Sequence, residues 1–330
     1  MAALNFNMKF SVLESTSPYL NLAIEEYLLK YCEGEYFLLW QNEPTVVIGK
    51  NQNVFAEVNI EYAKEKGINI ARRISGGGAV YHDFGNLNFS YISDKEEEGI
   101  DFKRFTTPII NALKKMGLSP ELSGRNDILI SGKKISGNAQ THFDNRVLHH
   151  GTLLYNSDAN ILSEVLNVDK EKLKAKAIAS VKSRITNIKE FLNFDCSFFQ
   201  FINLIKNHII SEYNTAEFKI VQNDTIKKLE ERNRSESWIF PNNEFLSSLT
   251  FAVKKRYVFG CVAVDIKLNN DSISDIKISG DFFGAKDVSN FEKELIGVPF
   301  SRIPEKIEHI KISDYILGMT NQEFLDLLNE

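Results

Sequence analysis

A run of three glycines between two strand-like segments constrains the fold of this chain more than any other feature of its sequence. Gly76, Gly77 and Gly78 have no Cβ, so the backbone can adopt unusual φ/ψ values there and can touch a ligand directly. Arg72 and Arg73 come just before the run, and their guanidinium groups suit carboxylate or phosphate. The sequence therefore predicts a site where an anionic small molecule lies against main-chain N–H groups.

Both flanks of the run predict β-strands. Residues 68–71 and 86–91 alternate apolar with small or polar side chains, which is the period-2 pattern of a strand. A Walker loop needs Gly-Lys-Ser/Thr followed by a helix, and a dinucleotide fingerprint also needs a helix after its glycines. The run therefore matches neither motif, and on its own it would favour a glycine-rich hairpin that binds nothing.

Four further motifs follow the glycine run. They are Gly-Arg-Asn-Asp at 124–127, Lys-Ile-Ser-Gly at 134–137, His-His-Gly-Thr at 149–152 and Ser-Val-Lys-Ser-Arg-Ile-Thr-Asn at 180–187. Together with Arg-Arg-Ile-Ser-Gly-Gly-Gly-Ala-Val-Tyr-His-Asp at 72–83, they stand in the order and at the spacing of the lipoate–protein ligase family, which the chain resembles over nearly its whole length. Any one motif would be a weak signal, but five in series are specific.

The resemblance implies a fold and a reaction. The implied fold class is α/β with α+β mixed sheets: a large biotin/lipoate-ligase-like catalytic domain and a small C-terminal α+β domain. The implied reaction is ATP-dependent activation of free lipoate to lipoyl-AMP with release of pyrophosphate, followed by transfer of the lipoyl group to a lysine of an acceptor. ATP and Mg²⁺ are the implied cofactors. The implied acceptors are apo lipoyl domains of 2-oxoacid dehydrogenase E2 subunits or the glycine-cleavage H protein.

The resemblance also implies roles for residues within the matching motifs, with Lys134 as the catalytic residue. The positions that match ATP-contacting residues are Arg73, Gly78, Ala79, Val80, Tyr81 and Lys134. The expected lipoate-binding residues are Lys134, Arg72, Gly76, Gly77 and His150. The expected adenylate loop includes Ser180, Val181, Ser183 and Arg184. In the same loop the family commonly has glycine where this chain has Ala177.

Elementary chemistry supports the role of Lys134. Activation brings a carboxylate oxygen to the α-phosphorus of ATP, so the site must supply fixed positive charge and N–H donors where two anions meet. The Lys134 ammonium can bridge carboxylate and phosphate, and Arg73 with the glycine-run backbone can supply further charge and donors. For Asp127 three interpretations stay open: it orients Lys134, it helps to place Mg²⁺, or it is a turn residue bonded to its own backbone. No metal ligand is assigned.

The histidines near the motifs are expected to differ in role. His82 and His149 are interpreted as hydrogen-bonded core side chains. His149 and His150 are adjacent in a predicted strand, so their side chains point to opposite faces and at most one of them lines the pocket.

Three rival functions fit parts of the pattern. An octanoyltransferase that works through a cysteine thioester needs a thiolate in the pocket, yet Cys32, Cys196 and Cys261 all lie outside residues 72–155. Such transferases also lack a C-terminal domain. A biotin ligase would share the fold, but this glycine run is not its signature. A binding protein that has lost catalysis is disfavoured by the intact Lys134.

Length and composition give the remaining expectations. At 330 residues the chain exceeds the usual size of a single core, so we expect a catalytic domain at 1–246 and an accessory domain at 252–330. The formal net charge of −5 disfavours a nucleic-acid binder. Three widely separated cysteines, no apolar run long enough for a membrane span and no signal-peptide pattern predict a cytoplasmic protein with no membrane association. Nothing in the sequence requires more than a monomer.

Hydrophobic periodicity predicts the main elements of a mixed sheet structure. Helices are expected at 18–31, 57–66, 102–116, 198–210, 290–295 and 321–328. Strands are expected at 36–40, 45–48, 128–130, 147–155, 257–266 and 273–279. Residues 169–184 are rich in lysine and small residues, which indicates either a mobile basic loop or a solvated helix face, and the resemblance favours the loop.

Overall fold

The computed structural model describes residues 8–94, 100–124, 126–167, 184–241 and 249–330. Three expected adenylate-loop residues, Ser180, Val181 and Ser183, lie outside the described residues, as do Ala177 and most of the basic loop. Much of the expected domain boundary, at 242–248, also lies outside them, so the division at 246 and 252 stays a prediction.

The described chain contains strands and helices in alternation. The strands are β1 (Lys9–Val12), β2 (Tyr36–Trp40), β3 (Thr45–Ile48), β4 (Asn69–Arg72), β5 (Val80–His82), β6 (Asn86–Asp94), β7 (Pro120–Ser123), β8 (Asp127–Ile130), β9 (Lys133–Phe143), β10 (Arg146–Leu154), β11 (Ala216–Glu217), β12 (Phe251–Tyr257), β13 (Gly260–Asn269) and β14 (Ser272–Gly280). The helices are α1 (Pro18–Tyr31), α2 (Val54–Glu57), α3 (Ile60–Glu65), α4 (Phe102–Lys115), α5 (Ala159–Val165), α6 (Phe198–Glu212), α7 (Asp224–Arg234), α8 (Glu236–Ile239), α9 (Val288–Leu295), α10 (Ile303–Ile307) and α11 (Asn321–Leu328). Short 3₁₀ turns occur at Ile188–Phe191, Phe300–Arg302 and Ile312–Asp314.

A large mixed sheet organises the N-terminal part, in the order β11-β1-β2-β6-β10-β9-β8-β7. β1 is parallel to β2 and β11, and the other neighbours are antiparallel. The central strands β6 and β10 are buried along nearly their whole length. α4 and α6 pack on one face of this sheet and α1 packs on the other. The predicted mixed α/β class is confirmed.

A second sheet, of three strands, positions the glycine run. β3 lies at its centre, parallel to β4 on one side and antiparallel to β5 on the other. Because β4 and β5 flank the same strand, the run that joins them must cross the end of β3. A Cβ built on Gly49, just after β3, would lie 2.1 Å from the carbonyl oxygen of Gly77, so the crossing requires glycine at position 49. The topology therefore holds the run against β3.

Local sequence signals explain where the site's helices begin. The hydroxyl of Ser17 accepts a hydrogen bond from the N–H of Leu20, and Pro18 occupies the first turn of α1. The carboxylate of Asp101 accepts from the N–H of Arg104 at the start of α4. These caps confirm the predicted start of α1 and that of α4.

The helix predicted at 57–66 is confirmed over Ile60–Glu65 but was wrong at its start, because the chain breaks at residues 58–59 between α2 and α3. Val58 is extended, with φ −119° and ψ 132°, and it pairs with Leu166 in an isolated β-bridge. The side chain of Asn59 then accepts a hydrogen bond from the N–H of Tyr62 and begins a new helix. The helical periodicity of the sequence continues through residues 58–59 and so does not show the break. The break is imposed by the pairing of Val58 with the distant Leu166.

The strand predicted at 257–266 is confirmed from Gly260 to Ile266 but was wrong at its start, because residues 258–259 are the turn of a hairpin. β12 ends at Tyr257, and the chain turns through Val258 and Phe259. β13 then begins at Gly260, whose φ of +145° is accessible to glycine. The turn carries two apolar residues in place of the usual polar turn residues, so the sequence pattern did not show it.

The C-terminal part has its own core. β12, β13 and β14 form an antiparallel sheet in that order. α9, α10 and α11 cover it and bury a cluster that includes Phe282, Phe291 and Phe324. This arrangement confirms the small C-terminal α+β unit. No helix within the described ranges is long and apolar enough to cross a lipid bilayer.

The C-terminal unit packs directly against the glycine run. The N–H of Gly77 donates to the carbonyl of Phe282 at 3.2 Å. The Phe283 side chain, 1% exposed, is buried beside Phe102 of α4 and Ala139 of β9. An ion pair of 2.6 Å joins Lys50 to Asp287 nearby. The loop after β14 is therefore part of the surroundings of the predicted site.

Replacing Phe283 with alanine should lower the stability of the whole chain, because a large buried aromatic side chain leaves a cavity between the two parts and such substitutions cost about 3–5 kcal/mol. We expect a clearly lower urea midpoint in an unfolding curve followed by tryptophan fluorescence. Phe199→Ala is the matched control, since Phe199 is 72% exposed. Equal midpoints for the two variants would contradict the packing described above.

Candidate active site

A cavity lies between the glycine run, β5, β9 and β10. Leu22, Trp40, Val47 and Val80 give it an apolar wall, while Arg73 and Lys134 bring positive charge. The remaining lining residues are Gly77, Gly78, Ala79, His82, Asn88, Asn126, Gly137, Asn138, Ala139, His150, Gly151 and Thr152. An apolar wall beside two cationic groups suits an amphiphilic carboxylate.

Most of the predicted site residues meet at this cavity. Those that line it are Arg73, Gly77, Gly78, Ala79, Val80, Lys134 and His150. Four others belong to the same motifs but do not line it: Arg72, Gly76, Tyr81 and Asp127. Of the predicted adenylate-loop residues the structure describes Arg184, which is exposed.

The three glycines of the run differ in what surrounds them. A Cβ on Gly76 would lie 2.5 Å from the carbonyl oxygen of Phe282, and one on Gly77 would lie 2.9 Å from the ring of Phe283. Gly77 also has φ +89°, which strains any residue with a Cβ. At Gly78 the nearest atom would be 3.9 Å away. Phe282 and Phe283 of the C-terminal unit therefore occupy the space beside Gly76 and Gly77, whereas there is room for a side chain beside Gly78.

Arg73 fixes the conformation of the run. Its Nη2 donates hydrogen bonds to the carbonyls of Gly76 at 2.7 Å and Gly78 at 2.8 Å. Its Nη1 donates to the carbonyl of Val47 on β3 at 3.1 Å. Burial lowers the pKa of this guanidinium to about 10, so it stays charged at neutral pH. Arg73 thus acts on the backbone of the run as well as bringing charge to the cavity.

Arg72 is directed elsewhere. Burial lowers the pKa of its guanidinium to about 10 as well. Its nitrogens donate to the backbone carbonyls of Gly49, Lys50, Gln52, Trp238 and Ile239. In this structure the side chain expected to bind lipoate instead ties β4 to the segment after β3 and to α8. Adjacent residues of an extended chain point to opposite sides, so only one of the two arginines faces the cavity.

Lys134 forms an ion pair at the cavity. Its Nζ lies 2.7 Å from Oδ1 of Asp127, and both side chains are about one-third exposed. A Cβ on Gly137 would lie 2.9 Å from that Nζ, so the glycine of the Lys-Ile-Ser-Gly motif makes room for the ammonium. Of the three interpretations of Asp127, this geometry favours the one in which it orients Lys134.

The same strand connects Lys134 to the end of the predicted adenylate loop. Ile185 forms a parallel bridge with Lys134, and the N–H of Thr186 donates to the Lys134 carbonyl at 3.0 Å. The chain that follows the loop is therefore anchored beside the predicted catalytic residue.

A metal ion has few possible protein ligands at this site. Within the described residues, no three His, Cys, Asp or Glu side chains are grouped so as to hold a metal. Mg²⁺ commonly uses one or two carboxylates together with substrate phosphates and water. Asp127 is the carboxylate next to Lys134, so the residues present fit a nucleotide-bound Mg²⁺ better than a metal site built by the protein alone.

The three motif histidines are all buried, but in different settings. His82 lines the cavity, and its Nδ1 lies 3.0 Å from Nδ2 of Asn42. His149 stacks between Phe89 and Phe105 on the other face of β10, and burial lowers its pKa well below the ordinary range. His150 lines the cavity, which fits the expectation that at most one of the adjacent pair would do so. His82 is hydrogen-bonded and buried as expected, yet it also faces the site.

Sequence reasoning missed Glu25 and Ser75. Both are 1% exposed, and both are bonded to His150. The available signal was weak: Asn21 and Glu25 are spaced i, i+4 on a helix whose other buried positions, apart from Glu26, are apolar. Two polar residues on a buried helix face indicate partners that the local sequence does not identify.

The free energy of unfolding should depend on pH through His82. Burial lowers the pKa of its imidazole from 6.5 to about 3. The unfolded chain then binds more protons below pH 6.5, so this contribution is complete above pH 6.5 and is lost as the pH falls towards 3, at about 1.4 kcal/mol per pH unit. His82→Gln should show a shallower loss of stability than the wild type in urea titrations between pH 6.5 and 4.5. His309→Gln, at an exposed position, is the control. Parallel curves for His82→Gln and the wild type would contradict a neutral, buried His82.

Comparison with known proteins places this geometry in a family. The model of the lipoyl protein ligase A/B catalytic domain matches residues 17–210, and that of the bacterial lipoate protein ligase C-terminus matches residues 248–328. Lipoate-protein ligase LplJ of Bacillus subtilis is 40% identical over 322 residues, which are 94% of this chain and 96% of that protein. Lipoate–protein ligase 1 of Staphylococcus aureus is 39% identical, with 95% and 97% covered.

Solved structures agree with the assignment. LipL1 of P. falciparum, in a complex with lipoate, has a similar fold, with a TM-score of 0.78 at 24% identity over 98% of this chain and 99% of that one. A lipoate-protein ligase A bound with ATP has a TM-score of 0.61 at 26% identity, with 71% and 98% covered. These findings confirm the resemblance given by the five motifs. The chain belongs to the lipoate–protein ligase family and is a ligase that forms an amide bond with the use of ATP.

Proposed function

We propose that the cavity activates lipoate with ATP to lipoyl-AMP and pyrophosphate and then passes the lipoyl group to a lysine of an acceptor protein. The observation that supports this most is the place of Lys134, which lines the cavity together with Gly78 of the glycine run. A cation and main-chain N–H donors at one site are what the meeting of a carboxylate and a triphosphate requires. A lipoate-bound fold neighbour and an ATP-bound relative agree with both substrates.

In the first step a lipoate carboxylate oxygen attacks the α-phosphorus and pyrophosphate leaves. We assign the Lys134 ammonium to hold the carboxylate and the α-phosphate together, and Asp127 to keep that ammonium in place. The backbone of Gly78–Val80 and the charge of Arg73 provide the other contacts with the nucleotide. The apolar wall with Trp40 and Leu22 suits the hydrocarbon part of lipoate.

In the second step the neutral amine of an acceptor lysine attacks the acyl carbon, the bond between that carbon and the phosphate oxygen breaks, AMP leaves with the bonding electrons, and the proton lost by the amine passes to solvent. The same Lys134 ammonium can stabilise the carbonyl oxygen as it gains negative charge. No cysteine is needed for this route. Cys196 and Cys261 are buried elsewhere, Cys32 lies at the end of α1, and none of the three lines the cavity, so a thioester route has no support here.

Lipoyl domains are the acceptors we propose. A bipartite lipoate protein ligase from Thermoplasma acidophilum, described together with its E2 lipoyl domain, is 27% identical to this chain, with a TM-score of 0.62 over 71% of this chain and 95% of that one. We extend this to apo lipoyl domains of 2-oxoacid dehydrogenase E2 subunits and the glycine-cleavage H protein. Mg²⁺ would enter with ATP, and we place the reaction in the cytoplasm, where the three free thiols would stay reduced.

Lys134→Ala should abolish adenylate formation while the protein stays folded. Removing one preorganised donor to a developing charge costs about 10²–10³ in rate, and here the same ammonium serves both substrates. The measurement is lipoate-dependent pyrophosphate release, with an unfolding curve to show that the fold is intact. Lys103→Ala, at an exposed position on α4, is the control. Near-wild-type pyrophosphate release in Lys134→Ala would contradict the role assigned to Lys134 in adenylate formation.

A further inference from the structure

One buried carboxylate near the cavity has no part in the chemistry above. Glu25 on α1 is 1% exposed. Its Oε1 accepts a hydrogen bond from the Ser90 hydroxyl at 2.5 Å and lies 3.0 Å from Nδ1 of His150. The Ser90 hydroxyl in turn accepts from the indole N–H of Trp40 at 2.7 Å. Burying a carboxylate is unfavourable unless it is hydrogen-bonded and its charge is balanced.

The balancing charge lies at the end of a hydrogen-bond chain. Nε2 of His150 is 2.7 Å from the Ser75 hydroxyl, which accepts from Nε of Arg73 at 3.0 Å. A guanidinium can only donate and an ionised carboxylate can only accept. With a neutral imidazole protonated on Nδ1, the chain then has one consistent direction: Arg73 donates to Ser75, Ser75 donates to His150, and His150 donates to Glu25. This tautomer is assigned from the partners.

The chain continues from Arg73 to the glycine run. The nitrogen Nη2 of the same guanidinium holds the carbonyls of Gly76 and Gly78. The negative charge of Glu25 favours the charged form of Arg73, against the effect of burial on its pKa. The Glu25 side chain is thus connected, through His150, Ser75 and the Arg73 guanidinium, to the backbone of the glycine run, which we assign to nucleotide binding.

We propose that Glu25 is a positioning residue of the activation step. Its carboxylate fixes His150 and Ser75, which fix the Arg73 guanidinium and so the conformation of the glycine run. Glu25 does not line the cavity and touches no reacting atom. The inference rests on the proposed function, because it concerns how the run receives ATP.

The neighbouring acid provides a matched control. Glu26 lies on the same helix and is also 1% exposed, but its carboxylate pairs with Arg232 of α7 and with Lys30. Glu25→Gln and Glu26→Gln each remove one buried charge, so both should lower the urea midpoint. Glu25→Gln should also reduce kcat/KM for ATP in pyrophosphate release by about tenfold or more, since it breaks a buried charged network, and Glu26→Gln should change it by less than about twofold.

A double-mutant cycle separates positioning from general damage. Ser75→Ala cuts the chain between His150 and Arg73. If Glu25 acts through that chain, adding Glu25→Gln to Ser75→Ala should lower kcat/KM for ATP by less than about twofold more, because residues of one network are not additive. The proposal would be overturned if the effects of Glu25→Gln and Ser75→Ala on kcat/KM for ATP multiplied in the double variant. Equal kcat/KM values for Glu25→Gln and Glu26→Gln would overturn it as well.

A failure of the positioning role can be told apart from a failure of the proposed function. Absence of lipoate-dependent pyrophosphate release in the wild type would contradict the function itself, whereas an active wild type with an unaffected Glu25→Gln would contradict only the positioning role. If Glu25→Gln does not fold, Ser75→Ala alone decides. A folded Ser75→Ala with wild-type kcat/KM for ATP would show that the chain does not position the run.

Discussion

The buried guanidinium of Arg73 is the interaction on which the site depends. β4 and β5 flank β3, so the glycine run crosses the end of β3 with no strand of its own to bond its carbonyls. Buried backbone polar groups need partners, and Arg73 provides them for Gly76, Gly78 and Val47. A single cation therefore sets the shape of the run, brings charge to the cavity and connects it to the Ser75–His150–Glu25 chain.

The glycine run serves two neighbours at once. Gly76 and Gly77 make room for Phe282 and Phe283 of the C-terminal unit, and the N–H of Gly77 donates to the Phe282 carbonyl. Gly78 lines the cavity. The backbone that we assign to the nucleotide is thus continuous with the contact between the two parts of the chain. A change at that contact would alter the conformation available to the run.

The sequence predicted the cavity better than it predicted what supports it. The motifs located Arg73, Lys134 and His150 because a glycine run and its companion motifs have few alternative uses. They did not show which of Arg72 and Arg73 points into the cavity, because the direction of a side chain depends on its position in the sheet and not on its residue type. Glu25 was missed for a similar reason, since its partners come from β6 and β10, far away in sequence. The break at Val58 was likewise imposed by pairing with a distant segment. The hairpin at 258–259 joins two neighbouring strands and was missed because its turn carries two apolar residues.

Pyrophosphate release from ATP with lipoate, measured with and without an apo lipoyl domain whose mass is followed, tests the central claim most directly. A ligase that works through lipoyl-AMP should release pyrophosphate only when lipoate is present and should increase the mass of the domain by one lipoyl group. Pyrophosphate without a mass increase would support activation but contradict the proposed acceptor. No pyrophosphate and no mass increase would contradict the assignment of the cavity to lipoate activation.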